Sequence, residues 1–282
     1  MSTPTALVTG ATGKVGRHVV DGLLEAGAEV RALSRDPERA RLPPEVRVLP
    51  GDPTDSTALA DAAAGADVAL LVWIGFDATG AEGPVAMLGE RVPHVVQLSA
   101  ADLTTGGGSV QQGVWADVES LVEQHAEHHT FVRAGGFAAN TLGWAEQLAG
   151  SDTVRLPHPL ATRSLVHERD IAAVIVRAML DPAHHDRAYA VTGPDALTQA
   201  QQVATIGRVL GRDLEVAEQP HEEALAELAG VMGPEFARQS LGYWASLVAT
   251  PEAVSPDVER VLGRPALTYE RWVQDHRADF GG

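Results

Sequence analysis

Cysteine is absent from the 282 residues. That excludes disulfides, thiolate metal sites and a cysteine nucleophile, and it fits a reducing compartment. Lysine occurs once, as Lys14, and tyrosine three times, as Tyr189, Tyr243 and Tyr269. Long apolar runs are missing too. The longest, "ADVALLVWIGF", is too short to span a bilayer. The opening "MSTPTALVTG" has neither the basic nor the apolar region of a signal peptide. A soluble, cytoplasmic protein is expected. Positive charge is scarce, with 21 Lys and Arg against 38 Asp and Glu and a formal charge of -17. The arginines are dispersed. A chain without a basic stripe is a poor partner for nucleic acid or an anionic membrane. No low-complexity block and no fixed-period repeat is present.

What is present is a 45% hydrophobic chain, enough for one large domain or one domain with a small appendage. Short apolar runs ("ALVTG", "AEVRAL", "VRVL", "DVALLVWI", "HVVQLSA", "TFVRAG") alternate with segments of helical spacing. Val15, Val19 and Leu23 mark the first helix. Asp55 or Ser56 caps the next, which stops at Gly65, and a further helix is predicted near Val110 to His125. Strands that alternate with helices and are apolar on both faces predict an α/β fold with a Rossmann-like, doubly wound parallel sheet. Residues 1–150 form the expected nucleotide-binding domain. Residues 151–282 form a smaller, mostly helical lobe that partly returns to the main sheet.

Gly10, Gly13 and Gly16 in "VTGATGKVGRHVV" follow the first strand and open the first helix. This pattern suits a dinucleotide. Gly10 permits a tight turn, Gly13 lets backbone N–H groups approach a pyrophosphate, and Gly16 lets the helix pack on the sheet. The helix N-terminus adds partial positive charge. It is not a Walker A loop, because no glycine stands at Val8 and Val15 replaces the Ser or Thr that would hold magnesium.

"TGATGKVG" resembles the signature of the short-chain dehydrogenase/reductase superfamily, in its atypical NmrA-like branch. "VRALSRDPERA", "LPGDPTDSTALADAAAGADVALLV", "HTFVRAGGFAANTL" and "AYAVTGPDALTQAQQVATIGRVLGR" resemble four later stretches of that branch. The resemblance implies an NAD(P)H-dependent reductase or a redox-sensing regulator. It implies that Gly10, Ala11, Thr12, Gly13, Lys14, Val15 and Gly16 wrap the pyrophosphate and that Asp52 meets the adenine. An ordinary turn or cap role for Asp52 stands beside that reading. Trp73, Ile74, Gly75 and Ser99 would line the ribose and nicotinamide, and Trp115, Phe137 and Asn140 the substrate pocket, although Phe137 and Asn140 could equally be packing residues. Ser34 and Arg35, at the end of the second strand, point to NADPH. Serine tolerates a 2′-phosphate that an acid would repel, and arginine can pair with it. Asp36 keeps NADH open as the alternative, and Arg35 could instead be a solvated surface charge.

The superfamily's Tyr-x-x-x-Lys pair is missing. The matching helix, "QQGVWADVESLVEQ", has neither residue, and Trp115 stands where several relatives carry the lysine. Chemistry that needs that proton relay is disfavoured. Two functions remain: hydride transfer to an already electrophilic small molecule (a quinone, imine or activated enone), or a non-catalytic NADP(H)-binding sensor acting through a protein partner. The enzyme reading is favoured. Water or Ser99 can finish the protonation, and Ser99 is the one residue put forward for it. No metal site is expected. His125, His128 and His129 are read as solvated residues at a helix end. Asp170 is read as a structural, helix-capping residue, and Trp244 as packing within the small lobe. A homodimer is the ordinary expectation for a soluble enzyme.

Overall fold

The computed structural model describes residues 3–75, 77–104 and 109–281. Strand β1 (Thr5–Val8) is buried throughout, as a strand covered on both faces must be. It leads into helix α1 (Lys14–Glu25), which buries Val15, Val19, Val20 and Leu23. β2 (Glu29–Ser34) and β3 (Arg47–Pro50) follow. The Asp55 carboxylate then caps α2 (Ser56–Ala63) by accepting from the N–H groups of Thr57 and Ala58. After β4 (Val68–Val72) comes α3 (Glu82–Arg91), which the sequence pattern did not suggest. Gly83, Pro84 and Gly89 are poor helix formers. Pro84 lies in the first turn, where its missing N–H costs nothing. A side chain at Gly89 would strike the backbone of His125, so close packing explains that glycine.

β5 (His94–Asp102) is followed by β6 (Ser109–Val110), which pairs antiparallel with its end. Val110 is therefore in a strand, and α4 (Val114–His125) starts only after Gly113, at φ +89°, has turned the chain. β7 (His128–Ala134) begins with two residues read from sequence as solvated histidines at a helix end. Instead, His128 and His129 flank Asp186 at 3.2 and 3.6 Å, and the His185 ring packs on both His94 and His128. Among the described residues no group of three potential ligands is arranged to hold a metal.

A 3₁₀ segment, Ala138–Trp144, leads to α5 (Ala145–Gly150), β8 (Thr153–Leu156) and β9 (Thr162–Arg163). Then come α6 (Glu168–Leu180), β10 (Arg187–Val191), β11 (Leu197–Thr198), α7 (Gln199–Leu210) and β12 (Glu215–Glu218). Helices α8 (His221–Met232), α9 (Pro234–Ser246), α10 (Asp257–Leu262) and α11 (Tyr269–Asp275) end the chain.

The main sheet runs β10-β7-β5-β4-β1-β2-β3, all parallel. Strand order reverses between β1 and β4, and a crevice opens above the carboxyl ends there, as in other doubly wound sheets. From the second half, β10 extends this sheet and α6 packs beside α1. Helix α10 adds Val258 and Val261 to the same core, while a separate core forms around Leu148, Val154, Leu156, Val203, Ile206 and Trp272. Asp170 is structural but caps nothing, since His167 caps α6. Fully buried Asp170 accepts from the Leu267 N–H at 2.6 Å and pairs with Arg264 at 2.7 Å, tying the C-terminal segment to α6. No helix among the described residues is long and apolar enough to cross a membrane.

Candidate active site

The glycine turn closes over the carboxyl end of β1. Gly10 has φ +66°, a conformation that favours glycine, and its carbonyl accepts from the Gly13 N–H at 2.9 Å. A Cβ on Gly16 would collide with the Gly10 carbonyl oxygen and with the Ala11 backbone, so α1 can approach the turn only with glycine there. Gly13 is the N-cap of α1. No side chain caps the helix and no acid lies in its first turn. Thr12, Gly13 and Lys14 are exposed, while Ala11, Val15 and Gly16 are buried beneath them. The helix thus presents uncapped N–H donors to the crevice, as a pyrophosphate requires.

At the far edge of the crevice, β2 ends in Ser34 and β3 leads to Asp52. Arg35 Nε lies 4.0 Å from Asp52 Oδ2, and the Arg35 side chain is 73% exposed. Asp52 Oδ1 accepts from both the N–H and the hydroxyl of Thr54, and these bonds hold its pKa below the ordinary value. Its turn role is therefore real, and its second oxygen faces Arg35. Asp36 points elsewhere: its carboxylate accepts from the Arg39 N–H, capping a 3₁₀ turn, while its own N–H donates to Ser34 Oγ.

At the near end, the crevice deepens into a chamber of about 1320 Å³ between the sheet and the second lobe. Lys14, Trp73, Ile74, Gly75, Trp115 and Asn140 line it. Trp73 Nε1 donates to the Asp77 carbonyl at 2.9 Å, and the indole rests against Gly75, where a Cβ would not fit. Lys14 Nζ reaches the Ala139 carbonyl at 3.4 Å. A smaller chamber of about 220 Å³ adjoins it and shares Trp115, Asn140, Arg163 and Tyr243 with the larger one. Ser99, Ala100 and Phe137 line this second space.

Ser99 is buried, and its Oγ has no hydrogen-bond partner among the described residues. Gln97, two residues earlier on the same face of β5, is fully buried with both amide atoms likewise unpartnered, and it borders the larger chamber. Native structures rarely leave such groups without a partner. Above them α4 offers Trp115, with no tyrosine and no lysine. Farther along α4, Glu119 takes a forked pair from Arg133, with Nη2 to Oε2 at 2.6 Å, which anchors the helix to β7.

Across the chambers, a second polar cluster joins Arg163, Ser164, Tyr243 and Glu252. Among the described residues, Tyr243 is the one tyrosine lining the chambers. Its hydroxyl donates to Glu252 at 2.7 Å, and burial together with that carboxylate pushes its pKa above the ordinary 10, so it is a poor proton donor near neutral pH. The hydroxyl of Tyr269 is buried against Thr141 and that of Tyr189 is bonded to His184.

A model of the NmrA-like family matches residues 2–269. The chain belongs to the NmrA-like family. This NmrA-like chain is 35% identical over 294 residues to a (4-alkanoyl-5-oxo-2,5-dihydrofuran-3-yl)methyl phosphate reductase of Streptomyces griseus, covering 97% of this chain and 98% of the relative. It is 31% identical over 299 residues to an NAD(P)H azoreductase of Xenophilus azovorans, covering 98% and 99%. Its fold matches that of an NADPH-dependent quinone oxidoreductase from Escherichia coli solved with NADPH, with a TM-score of 0.80, 19% identity, and coverage of 96% and 99%.

In this NmrA-like chain the sequence-predicted residues fall into two groups at the carboxyl ends of the strands. Gly10 to Gly16, Ser34, Arg35 and Asp52 lie along the turn and the far edge. Trp73 to Gly75, Ser99, Trp115, Phe137 and Asn140 line the chambers. Trp244, read from sequence as lobe packing, is half-buried on α9 and also lines the larger chamber; Trp272 is the tryptophan buried in the lobe core. Gln97, Arg163, Tyr243 and Glu252 were missed. For Gln97 a signal existed: an amide inside an otherwise apolar strand, in phase with Ser99.

Proposed function

We propose that this chain is an NADPH-dependent reductase that passes hydride to an already electrophilic small molecule, a quinone, imine or activated enone, without a Tyr-Lys pair. The observation that carries this reading is the crevice itself. A glycine turn built for a pyrophosphate opens into chambers whose single tyrosine is held with a raised pKa by a buried carboxylate. Such a site supplies position and polar contacts but no ready acid, which suits an acceptor that needs little help. The relatives' names agree in kind. One is an azoreductase, and another reduces a dihydrofuran whose ring alkene is conjugated to carbonyl groups.

In this reading the N–H groups at the start of α1 hold the pyrophosphate. Ser34 and Arg35 meet a 2′-phosphate, and Asp52 meets the adenine. Trp73, Ile74 and Gly75 flank the ribose and nicotinamide. The nicotinamide, when bound, supplies the hydride. Trp115, Phe137 and Asn140 wall off the acceptor from water, and the unpartnered Ser99 hydroxyl offers it a hydrogen bond. Oxidation of NADPH in the presence of a panel of quinones, azo compounds and enones tests the proposal. Many turnovers per chain are expected with at least one class. Tight NADPH binding with no turnover on any acceptor would overturn the reductase reading and favour a sensor.

A further inference from the structure

Arg163 closes β9, on the wall shared by the two chambers. Its side chain is 14% exposed, and its Nε donates to Glu252 Oε1 at 3.2 Å. Both oxygens of Glu252 are engaged. Oε1 also accepts from the Tyr243 hydroxyl, and Oε2 accepts from the Ser164 N–H at 2.9 Å, while the Ser164 hydroxyl donates to the Ala253 carbonyl at 3.0 Å. The guanidinium is therefore gripped by one edge. Its two terminal amino groups have no hydrogen-bond partner among the described residues. One of them, Nη2, lies against Gly136, where any Cβ would run into it and into Cζ. Gly136 also lines the smaller chamber, with Ser99 and Gly135.

These N–H donors face the chambers, where a ligand oxygen that takes them gains charge-assisted hydrogen bonds. Glu252 offsets the formal charge of Arg163, so the pair acts at short range through its directed N–H donors. It is matched to an oxygen that carries or gains negative charge within hydrogen-bond reach as a reaction proceeds. We propose that Arg163 is the oxyanion site of this enzyme: its terminal N–H groups bind the carbonyl oxygen of the acceptor, and Glu252 and Tyr243 position it. This rests on the reductase reading above. In the step it serves, hydride adds to a carbon conjugated with that carbonyl. The π electron pair moves onto the oxygen, which becomes an enolate held by Arg163. The nicotinamide loses two electrons and the acceptor gains them. Water then delivers the proton that completes the product, and Arg163 stays protonated throughout. The electrostatic work of the missing Tyr-Lys pair thus falls to a residue on the opposite wall.

The test uses the whole chain saturated with NADP⁺ and titrated with 4-nitrophenol, whose phenolate is read by its absorbance across pH. The expected result is a bound phenol with an apparent pKa lowered by about one unit or more, and loss of that lowering in Arg163→Gln. On a reducible enone, Arg163→Gln should lose about 10²-fold or more in kcat, with NADPH affinity unchanged. Arg163→Lys should recover part of the loss. Gly136→Ala, which displaces the guanidinium without removing its charge, should move both readouts the same way and guards against a folding defect in Arg163→Gln. The proposal is overturned if folded Arg163→Gln keeps the phenol shift, or keeps turnover within about threefold, or loses NADPH affinity in step with turnover; the last result would place Arg163 on the cofactor. An Arg163-dependent phenol shift in a wild type that turns over no acceptor would leave the oxyanion site standing while the reductase reading falls.

Discussion

Replacing Arg35 with alanine should separate the two nicotinamide cofactors. A charge-assisted bond from a guanidinium to phosphate contributes about 1.5–3 kcal/mol. In the free protein the same guanidinium faces Asp52 at 4.0 Å, with side chains 73% and 32% exposed. An ion pair that open contributes at most about 1 kcal/mol, and binding a 2′-phosphate must compete with it. Set against the full value of about 1 kcal/mol, the net loss in Arg35→Ala is about 0.5–2 kcal/mol, or roughly 2- to 30-fold in NADPH affinity. NADH, which lacks the phosphate, should lose almost nothing. Asp36 does not reverse the preference, because its carboxylate is committed to the Arg39 N–H. The assay is equilibrium titration of cofactor fluorescence with both cofactors at low and high salt. The NADPH advantage should shrink as salt screens the exposed pair. Equal losses for both cofactors, or a wild type that prefers NADH, would refute the reasoning.

Other outcomes follow from the same geometry. Gly16→Ala forces a Cβ into the Gly10 carbonyl and the Ala11 backbone, so the turn must shift; NADPH titration should show about a tenfold or greater loss, and unchanged affinity would remove this turn from the cofactor site. Tyr189→Phe, Tyr243→Phe and Tyr269→Phe should each keep turnover within about tenfold, since a true proton donor contributes about 10²–10⁴-fold; a larger loss in a folded variant would identify an acid. Burial, with His185 and His128 alongside, lowers the His94 pKa from its ordinary 6.5 to about 3. The unfolded chain therefore takes up a proton that the fold refuses. Stability is unaffected above pH 6.5 and falls through the window from 6.5 to about 3, by up to about 1.4 kcal/mol per pH unit for this group. Melting curves across that window should show a shallower pH dependence in His94→Gln, and an identical slope would contradict it.

The parallel sheet was legible because strands buried on both faces read as unbroken apolar runs. The glycine turn was legible because its three glycines sit between such a run and a helical pattern. Helix α3 was not, because Gly83, Pro84 and Gly89 argue against a helix locally and packing overrides them. His128 and His129 looked like a helix end because nothing nearby announces Asp186, which meets them across 58 and 57 residues of chain. The same distance hides the polar wall of the chamber. Arg163 and Glu252 are 89 residues apart, and neither belongs to a recognisable motif. A sequence shows what a segment does for its own conformation. It shows far less of what a fold brings to that segment from elsewhere.

Direct hydride delivery from NADPH to an electrophilic carbon, repeated at one site, is tested with NADPH deuterated at both positions of nicotinamide C4 and an activated enone in excess. Product carrying one deuterium on carbon is expected, formed in many equivalents per chain. Product without carbon-bound deuterium, or oxidation that stops after one equivalent, would contradict it.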